Sequence, residues 1–354
     1  MAEELIAEGT ADFVAMARSF IADPDWGKKA MLGLEEDIRP CIRCLKCLEP
    51  GNGACSVNPR RIIPEPLFPH EPLGKKVKRV AVIGGGPAGM LAAVELERKG
   101  HQVDLYEQRE QLGGRLGFSE YMKFKKDICR YQEYLIRQVS KRKIQIHLGQ
   151  KATPERIAEL QYDAVVVAAG AENFIPPILG TDQKKVMHSA NVFGKEETLG
   201  ERIVIIGGGS VGCELAFHLK DFGKKISLVE MSDRLLPGET SMESFYTQFY
   251  VTHEYHMKNK NMIQNHVSDQ VKTYLGAKCA EITEEGAVIE MPDGTRIMLD
   301  ADTVIMATGL RVDEEKIEAY KAVAPQVIFA GDCVKPGTIL TATSQAYGAS
   351  LQID

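Results

Sequence analysis

Four cysteines fall within a span of fifteen residues: Cys41, Cys44 and Cys47 follow a C-x2-C-x2-C spacing, and Cys55 arrives after seven more. Thiolates are soft metal ligands, and four of them this close in sequence can surround one metal site, either a 4Fe-4S cluster or a structural zinc ion. Structural disulfides would be unusual in a reducing cytosol, so the spacing decides what the eight cysteines mean. Cys129, Cys213, Cys279 and Cys333 are scattered singly and read as small buried hydrophobes.

A second chemistry is written in glycine. Gly84, Gly86 and Gly89 form G-x-G-x-x-G directly after an apolar run, and Glu107 follows 18 residues beyond the third glycine. In such a turn the first glycine permits the tight bend and the second lets a pyrophosphate approach the backbone. The third lets helix and strand pack closely, and the acid accepts hydrogen bonds from a ribose hydroxyl. The following helix N-terminus offers unpaired N–H groups and positive dipole to the phosphates. Gly207, Gly209, Gly212 and Glu230 repeat the constellation with every pair 123 positions apart, so two dinucleotides are expected.

Those residues need a strand, turn, helix and second strand to hold them. VAVIGGGPAGM (80–90) and IVIIGGGSVGC (203–213) supply this twice, each an apolar run suited to a buried parallel strand followed by a helix of about twelve residues. VVVAAG (165–170) and VIMATG (304–309) close the two stretches, and VIFAGDC (327–333) forms a last strand and turn. Upstream, 2–8 reads as a helix and Asp12–Ala17 as a strand ending at Arg18. A further helix, capped by Asp23 with Pro24 at its first position, runs to about Leu32. Pro64, Pro66, Pro69 and Pro72 mark a linker. The 354 residues, 44% hydrophobic and 26% charged, suit a soluble multidomain protein, and the net charge of −6 argues against a general nucleic-acid binder. An acidic N-terminus and the lack of a long apolar run lead to the expectation of a cytoplasmic protein without a membrane partner.

The order of GGGPAG, LGGRL (112–116), AAG, GGGSVG, ATG and AGDC resembles that of the two-dinucleotide-domain flavoprotein reductases from Lys78 onward. The resemblance implies FAD on the first fingerprint (Gly84, Gly86, Pro87, Ala88, Gly89 and Glu107 with Gln108) and on Gly331–Asp332 of the GD motif, with Asp332 at the ribityl or phosphate portion. It implies that Gly114, Arg115 and Leu116 line the flavin, and that Ala152, Ala169 and Gly170 complete the FAD contacts. NAD(P)H would lie on Gly207, Gly209, Ser210, Val211, Gly212, Glu230 and Gly309. Many such reductases use a cysteine pair near the flavin, and none occurs between Val80 and Asp354, so a cluster becomes the natural one-electron acceptor.

RPCIRCLKC (39–47), CSVNPR (55–60) and ADFVAMARSFIADPDW (11–26) resemble the 2,4-dienoyl-CoA reductase and enoate reductase branch of the old yellow enzyme superfamily, with shorter spacers before the third and fourth cysteines than is usual there. In those enzymes electrons pass from NADH to FAD, to the cluster, to FMN in a (β/α)8 barrel. The implied class is α/β: two Rossmann-like domains, FAD interrupted by NAD, preceded by an iron-sulfur loop and the tail of a barrel. The boundaries read 1–38 for the barrel remnant, 39–64 for the cluster loop and 65–77 for the linker. The FAD domain takes 78–198 and resumes at 301–354, with the NAD domain at 199–300 between its two segments. Arg18 falls where the FMN phosphate would be touched, but a barrel needs roughly 250 residues, so FMN is expected only with a complete barrel from a missing N-terminal domain or a partner subunit. Glu230 favours NADH over NADPH. Two other readings compete: a structural subunit holding ADP in one site, and a relative of glutamate synthase small subunits. His253 and His256 read as belonging to an amphipathic segment.

Overall fold

A computed structural model describes residues 2–49, 53–61, 76–236 and 271–354. The proline-rich stretch from 62 to 75 and the segment carrying His253 and His256 lie outside the described residues. The chain forms two compact units: the first takes in residues 1–117, 126–170 and 314–354, the second 118–125 and 171–313. Glu314 and the residues after it pack with the first unit, and 171–198 with the second.

The first unit is built on a parallel sheet of five strands: β1 (Arg79–Ile83), β2 (Gln102–Tyr106), β3 (Ile144–His147), β4 (Ala164–Val167) and β15 (Gln326–Phe329), in the order β15-β4-β1-β2-β3. A parallel sheet covered on both faces needs apolar residues at consecutive positions. Val80 and Val82 enter one core with Met90, Leu91 and Ala346, while Ala81 and Ile83 enter the other with Ile157 and Tyr162. Helices α4 (Pro87–Arg98), α5 (Lys126–Ser140) and α9 (Ile339–Gln352) supply the first face. Helices α6 (Pro154–Glu159) and α8 (Glu314–Glu318) lie on the second.

The second unit repeats the plan, with β6 (Val186–His188), β7 (Arg202–Ile206), β8 (Lys225–Glu230), β9 (Lys272–Leu275) and β13 (Thr303–Met306) in the order β6-β13-β7-β8-β9. Helix α7 (Ser210–Lys220) covers one face. An antiparallel sheet of β10 (Lys278–Ile282), β11 (Gly286–Glu290) and β12 (Arg296–Asp300) covers the other. A short ladder pairs β5 (Glu172–Asn173) with β14 (Leu310–Arg311). Among the described residues no helix is long and apolar enough to cross a membrane.

The N-terminal stretch corrects two expectations. Helices α1 (Ala2–Ala7), α2 (Arg18–Ala22) and α3 (Trp26–Met31) form, but Asp12–Ala17 is irregular and Phe13 stands 82% exposed. A strand needs neighbours to accept its hydrogen bonds, and no described strand lies beside this one. The cap of α3 is Asp25, not Asp23. The buried Asp23 carboxylate is taken by Lys29 Nζ at 2.6 Å and the Arg39 N–H at 2.7 Å, so it ties this turn to the start of the cysteine segment.

Candidate dinucleotide and cysteine sites

The two fingerprints share one pattern of bonding. Gly84 and Gly207 take φ of +106° and +110°, in the region that favours glycine. A Cβ on Gly84 would stand 2.2 Å from the Ala168 carbonyl oxygen, and one on Gly207 2.5 Å from that of Ala307. The third glycines are tighter: a Cβ on Gly89 or Gly212 would meet the carbonyl oxygen of Gly84 or Gly207 at 1.8 Å. Gly86 and Gly209 are the N-caps of α4 and α7, with no side chain to satisfy the first N–H groups. A Cβ on Gly209 would meet nothing within 4 Å and one on Gly86 only Gly114 Cα at 3.9 Å, so the space before each helix is open to a diphosphate. Pro87 occupies the first position of α4 and Ala88 is buried, while Ser210 and Val211 open α7 exposed.

The acids do more than spacing suggests. Glu107 is buried and accepts from the Gly85 N–H at 2.7 Å and the Arg109 N–H at 2.9 Å. Glu230 is equally buried and accepts from Gly208 at 2.6 Å and Ser232 at 2.8 Å. Each carboxylate thus braces its own glycine turn, with acceptor capacity left over for a ribose. Sequence reasoning missed this bracing and the loop that closes it, in which the Gly113 N–H donates to Gly85 O and the Leu236 N–H to Gly208 O, both at 2.9 Å. The signal was available, since these donors also lie 123 positions apart.

In the first unit Gly114, Ala169 and Gly331, among the other residues expected at FAD, pack against the Gly84–Gly89 turn. A Cβ on Gly114 would meet Gly86 Cα at 2.8 Å, and one on Gly331 would meet Ala88 Cβ at 3.0 Å. Gly331 is held by Gln345 Oε1, which accepts its N–H at 2.7 Å. Arg115 and Asp332 lie within electrostatic reach of each other: burial pushes the Asp332 carboxyl up, opposed by the Gly337 N–H and Arg115. Leu116 is buried against the core, Ala169 and Gly170 follow β4 half-buried, and Gln108 is exposed. Ala152 is buried with its carbonyl accepting the Tyr320 hydroxyl at 2.5 Å, so its contribution to a site is backbone shape. In the second unit Gly309, φ +92°, is exposed after β13.

The cysteine segment lies on the first unit. Cys55 is buried, and Cys41, Cys44 and Cys47 are half-buried. The segment turns through two non-glycine residues of positive φ, Arg43 at 53° and Leu45 at 59°. The first turn lets the Arg43 N–H donate to Cys41 Sγ at 3.4 Å. Burial pushes the Cys41, Cys47 and Cys55 thiols up, and each of the three also feels neighbouring cysteines of the set. Among the described residues no three cysteine, histidine or carboxylate side chains converge closely enough to hold a metal ion as they stand. The Arg43 N–H directed at the Cys41 sulfur would stabilise a thiolate there, whereas burial and the mutual field of the cysteines oppose ionisation until a cation neutralises it. Arg18 is exposed and within electrostatic reach of Cys41 and Cys47. Of the single cysteines, Cys213 and Cys333 are buried, whereas Cys129 and Cys279 are half-buried.

A family model described as pyridine nucleotide-disulphide oxidoreductase matches residues 78–346. The chain belongs to that family. It carries the family's Rossmann-like FAD- and NAD(H)-binding fold, and it is an oxidoreductase chain. It is 32% identical over 365 residues to the NADH oxidase of Thermoanaerobacter brockii, covering 99% of this chain and 53% of that protein. It is 35% identical over 341 residues to the bilirubin reductase of Mediterraneibacter gnavus, covering 94% and 50%. The solved complex of 2-naphthoyl-CoA reductase with 2-naphthoyl-CoA matches with TM-score 0.87 at 26% identity, covering 99% of this chain and 52% of that one. The chain thus spans about half the length of the relatives it matches.

Proposed function

We propose that this chain oxidises NADH at the second unit, with FAD held by the first, and passes electrons singly to a 4Fe-4S cluster on Cys41, Cys44, Cys47 and Cys55. FAD, when bound, accepts hydride as a pair of electrons and can release them one at a time. The observation that carries the reading is that the cysteine segment is fastened to the elements that hold the FAD fingerprint. Ile42, Cys55 and Val57 share a core with Ala88, Met90 and Leu91 of α4. Arg60 reaches Glu95 of α4 at 2.6 Å, and Thr343 of α9 donates to Ser56 O at 2.9 Å. A one-electron acceptor beside a flavin is of use only when the two are rigidly placed, and these contacts fix the segment to the flavin unit.

Zinc is the competing occupant of four thiolates. One zinc ion draws its sulfurs to about 2.3 Å from a single centre, whereas a cluster binds each thiolate to a different iron and accepts a wider set. The flavin unit that the segment is fastened to, with no cysteine pair of its own from Val80 onward, favours the cluster. In a chain of this kind the electrons would continue to FMN and an ene substrate, an enoate or enoyl-CoA thioester, in a barrel supplied by the further length that the relatives have. Iron, acid-labile sulfide and zinc measured on anaerobically purified protein, followed by NADH titration of the flavin and cluster absorbance, test the scheme. Stoichiometric zinc without sulfide would overturn it.

A further inference from the structure

Phe118, Tyr121 and Phe124 recur at intervals of three in GFSEYMKFK (117–125). Residues three apart eclipse one another in a 3-10 helix, so this spacing gathers rings on one side of such a turn. The chain takes 3-10 turns at Gly114–Tyr121 and Lys123–Lys125. Phe118–Lys125 packs as a strap within the second unit, although the residues on either side of it belong to the first.

The partners of the strap lie on and beside α7. Lys125 Nζ meets Glu214 at 2.6 Å, and the Phe124 ring stands edge-on to Phe217 with centroids 5.3 Å apart. Phe118 stacks on Phe193 at 5.0 Å, and Tyr121 tilts against the same ring at 5.7 Å. Phe193 is itself held near the helix, because Glu196 Oε1 lies 3.0 Å from His218 Nε2 and both side chains are buried. Glu214, Phe217 and His218 stand at i, i+3 and i+4, one face of α7. The N-cap of that helix is Gly209 of the second fingerprint.

Both ends of the strap are anchored in the first unit. Upstream, the Gly113 N–H donates to Gly85 O at 2.9 Å and the Leu116 N–H to Gly113 O at 3.1 Å, so the loop expected to line the flavin sits on the first fingerprint. Downstream, α5 begins at Lys126 and pairs Asp127 with Arg43 at 3.3 Å. One continuous stretch runs from the FAD turn to the helix that opens the NADH turn, and back.

We propose that this strap makes nucleotide binding at the two fingerprints cooperative. Helix α7, ordered when a nucleotide sits on Gly207–Gly212, holds the strap, and the strap steadies the Gly113–Leu116 loop beside FAD. The inference rests on the placement of FAD and NADH proposed above and needs no cluster. A protein already ordered by one ligand has less left to order for a second, and the gain is reciprocal. Phe124 and Lys125 are then positioning residues, acting through α7 rather than on either nucleotide.

ADP-ribose is the probe, because it suits the second fingerprint yet has no nicotinamide ring to touch the flavin. Calorimetry on the full, FAD-loaded chain should give one equivalent bound. The rate of FAD release, read from the rise in FAD fluorescence after dilution, should then fall about fivefold or more when ADP-ribose is present. Phe124→Ala with Lys125→Met should lose most of that slowing while binding ADP-ribose and keeping its FAD. Phe124→Tyr with Lys125→Arg, which keeps the ring and the charge, should retain it. Release that bound ADP-ribose leaves unchanged in the wild type, or slows equally in the first variant, would overturn the proposal. If the first variant loses FAD on purification, Glu214→Gln with Phe217→Leu undoes the same contacts from α7 and is judged by the same criterion. A wild-type chain that takes up no FAD or no ADP-ribose would instead overturn the placement of the nucleotides, and this inference with it.

Discussion

At the scale of single residues, what spacing conveys is which atoms must not be there. The third glycines are required because a Cβ would fall 1.8 Å from a carbonyl oxygen, and that follows from the close packing of any strand-turn-helix of this kind. Gly212→Ala should therefore displace the second turn by an ångström or so and lower NADH reduction of the flavin about 100-fold, with FAD content unchanged. Stopped-flow bleaching of the flavin absorbance by NADH would check this. The acids were only half legible. A ribose partner could be expected from position, but the bonds from Glu230 to the Gly208 and Ser232 N–H groups depend on where the backbone turns. Their consequence is that NADH should have the higher kcat/KM than NADPH, because a 2′-phosphate would meet a buried carboxylate that the turn holds in place. Higher kcat/KM with NADPH would contradict that role.

At the scale of elements, the strands buried on both faces were legible because consecutive apolar residues are all such a strand needs from its own sequence. Asp12–Ala17 has comparable apolar content and stays irregular, since a strand is also a property of its neighbours. The start of α3 shifts in a similar way: Asp25 takes the N-cap position without a side-chain bond, while the Asp23 carboxylate accepts from the Asp25 and Arg39 N–H groups and from Lys29. Just beyond helix α6, Gln161 is exposed and held at φ 51°. Gln161→Gly should relieve a left-handed conformation that costs about 1 kcal/mol in a non-glycine residue, and so raise the urea midpoint of unfolding. The cysteine segment is an element of another sort, built on ties to α4, α5 and α9. Because α4 and α9 have their own core, Cys44→Ala should abolish the cluster's visible absorbance while FAD remains bound at wild-type stoichiometry.

At the scale of the molecule, the proposed division of labour is between units that hold dinucleotides and a substrate site in the further length that the relatives have. NADH oxidation with an artificial dye acceptor should proceed in this chain, because both fingerprints and the Gly331–Asp332 turn are formed. Tight FMN binding and reduction of an enoate or enoyl-CoA thioester should not. Ene reduction needs a second flavin seated over a barrel mouth, with residues from several strand ends, and Arg18 is one exposed contact beside an irregular stretch. Anaerobic mixing with NADH and a panel of such substrates decides it: turnover of any of them by the purified chain would place the substrate site within these units. The repetition at 123 positions made the two units legible, but the points of crossing depended on strand pairing that no offset reveals. One of those pairings also bears on how such a chain could have arisen. Glu172 pairs with Arg311 and Asn173 with Leu310, and the Phe174 N–H donates to Gly309 O at 3.0 Å. The long excursion from 174 to 309 thus departs and returns through hydrogen-bonded neighbours, so an ancestral chain could accept a duplicate of its own fold there, as it would a surface loop, with little added closure entropy.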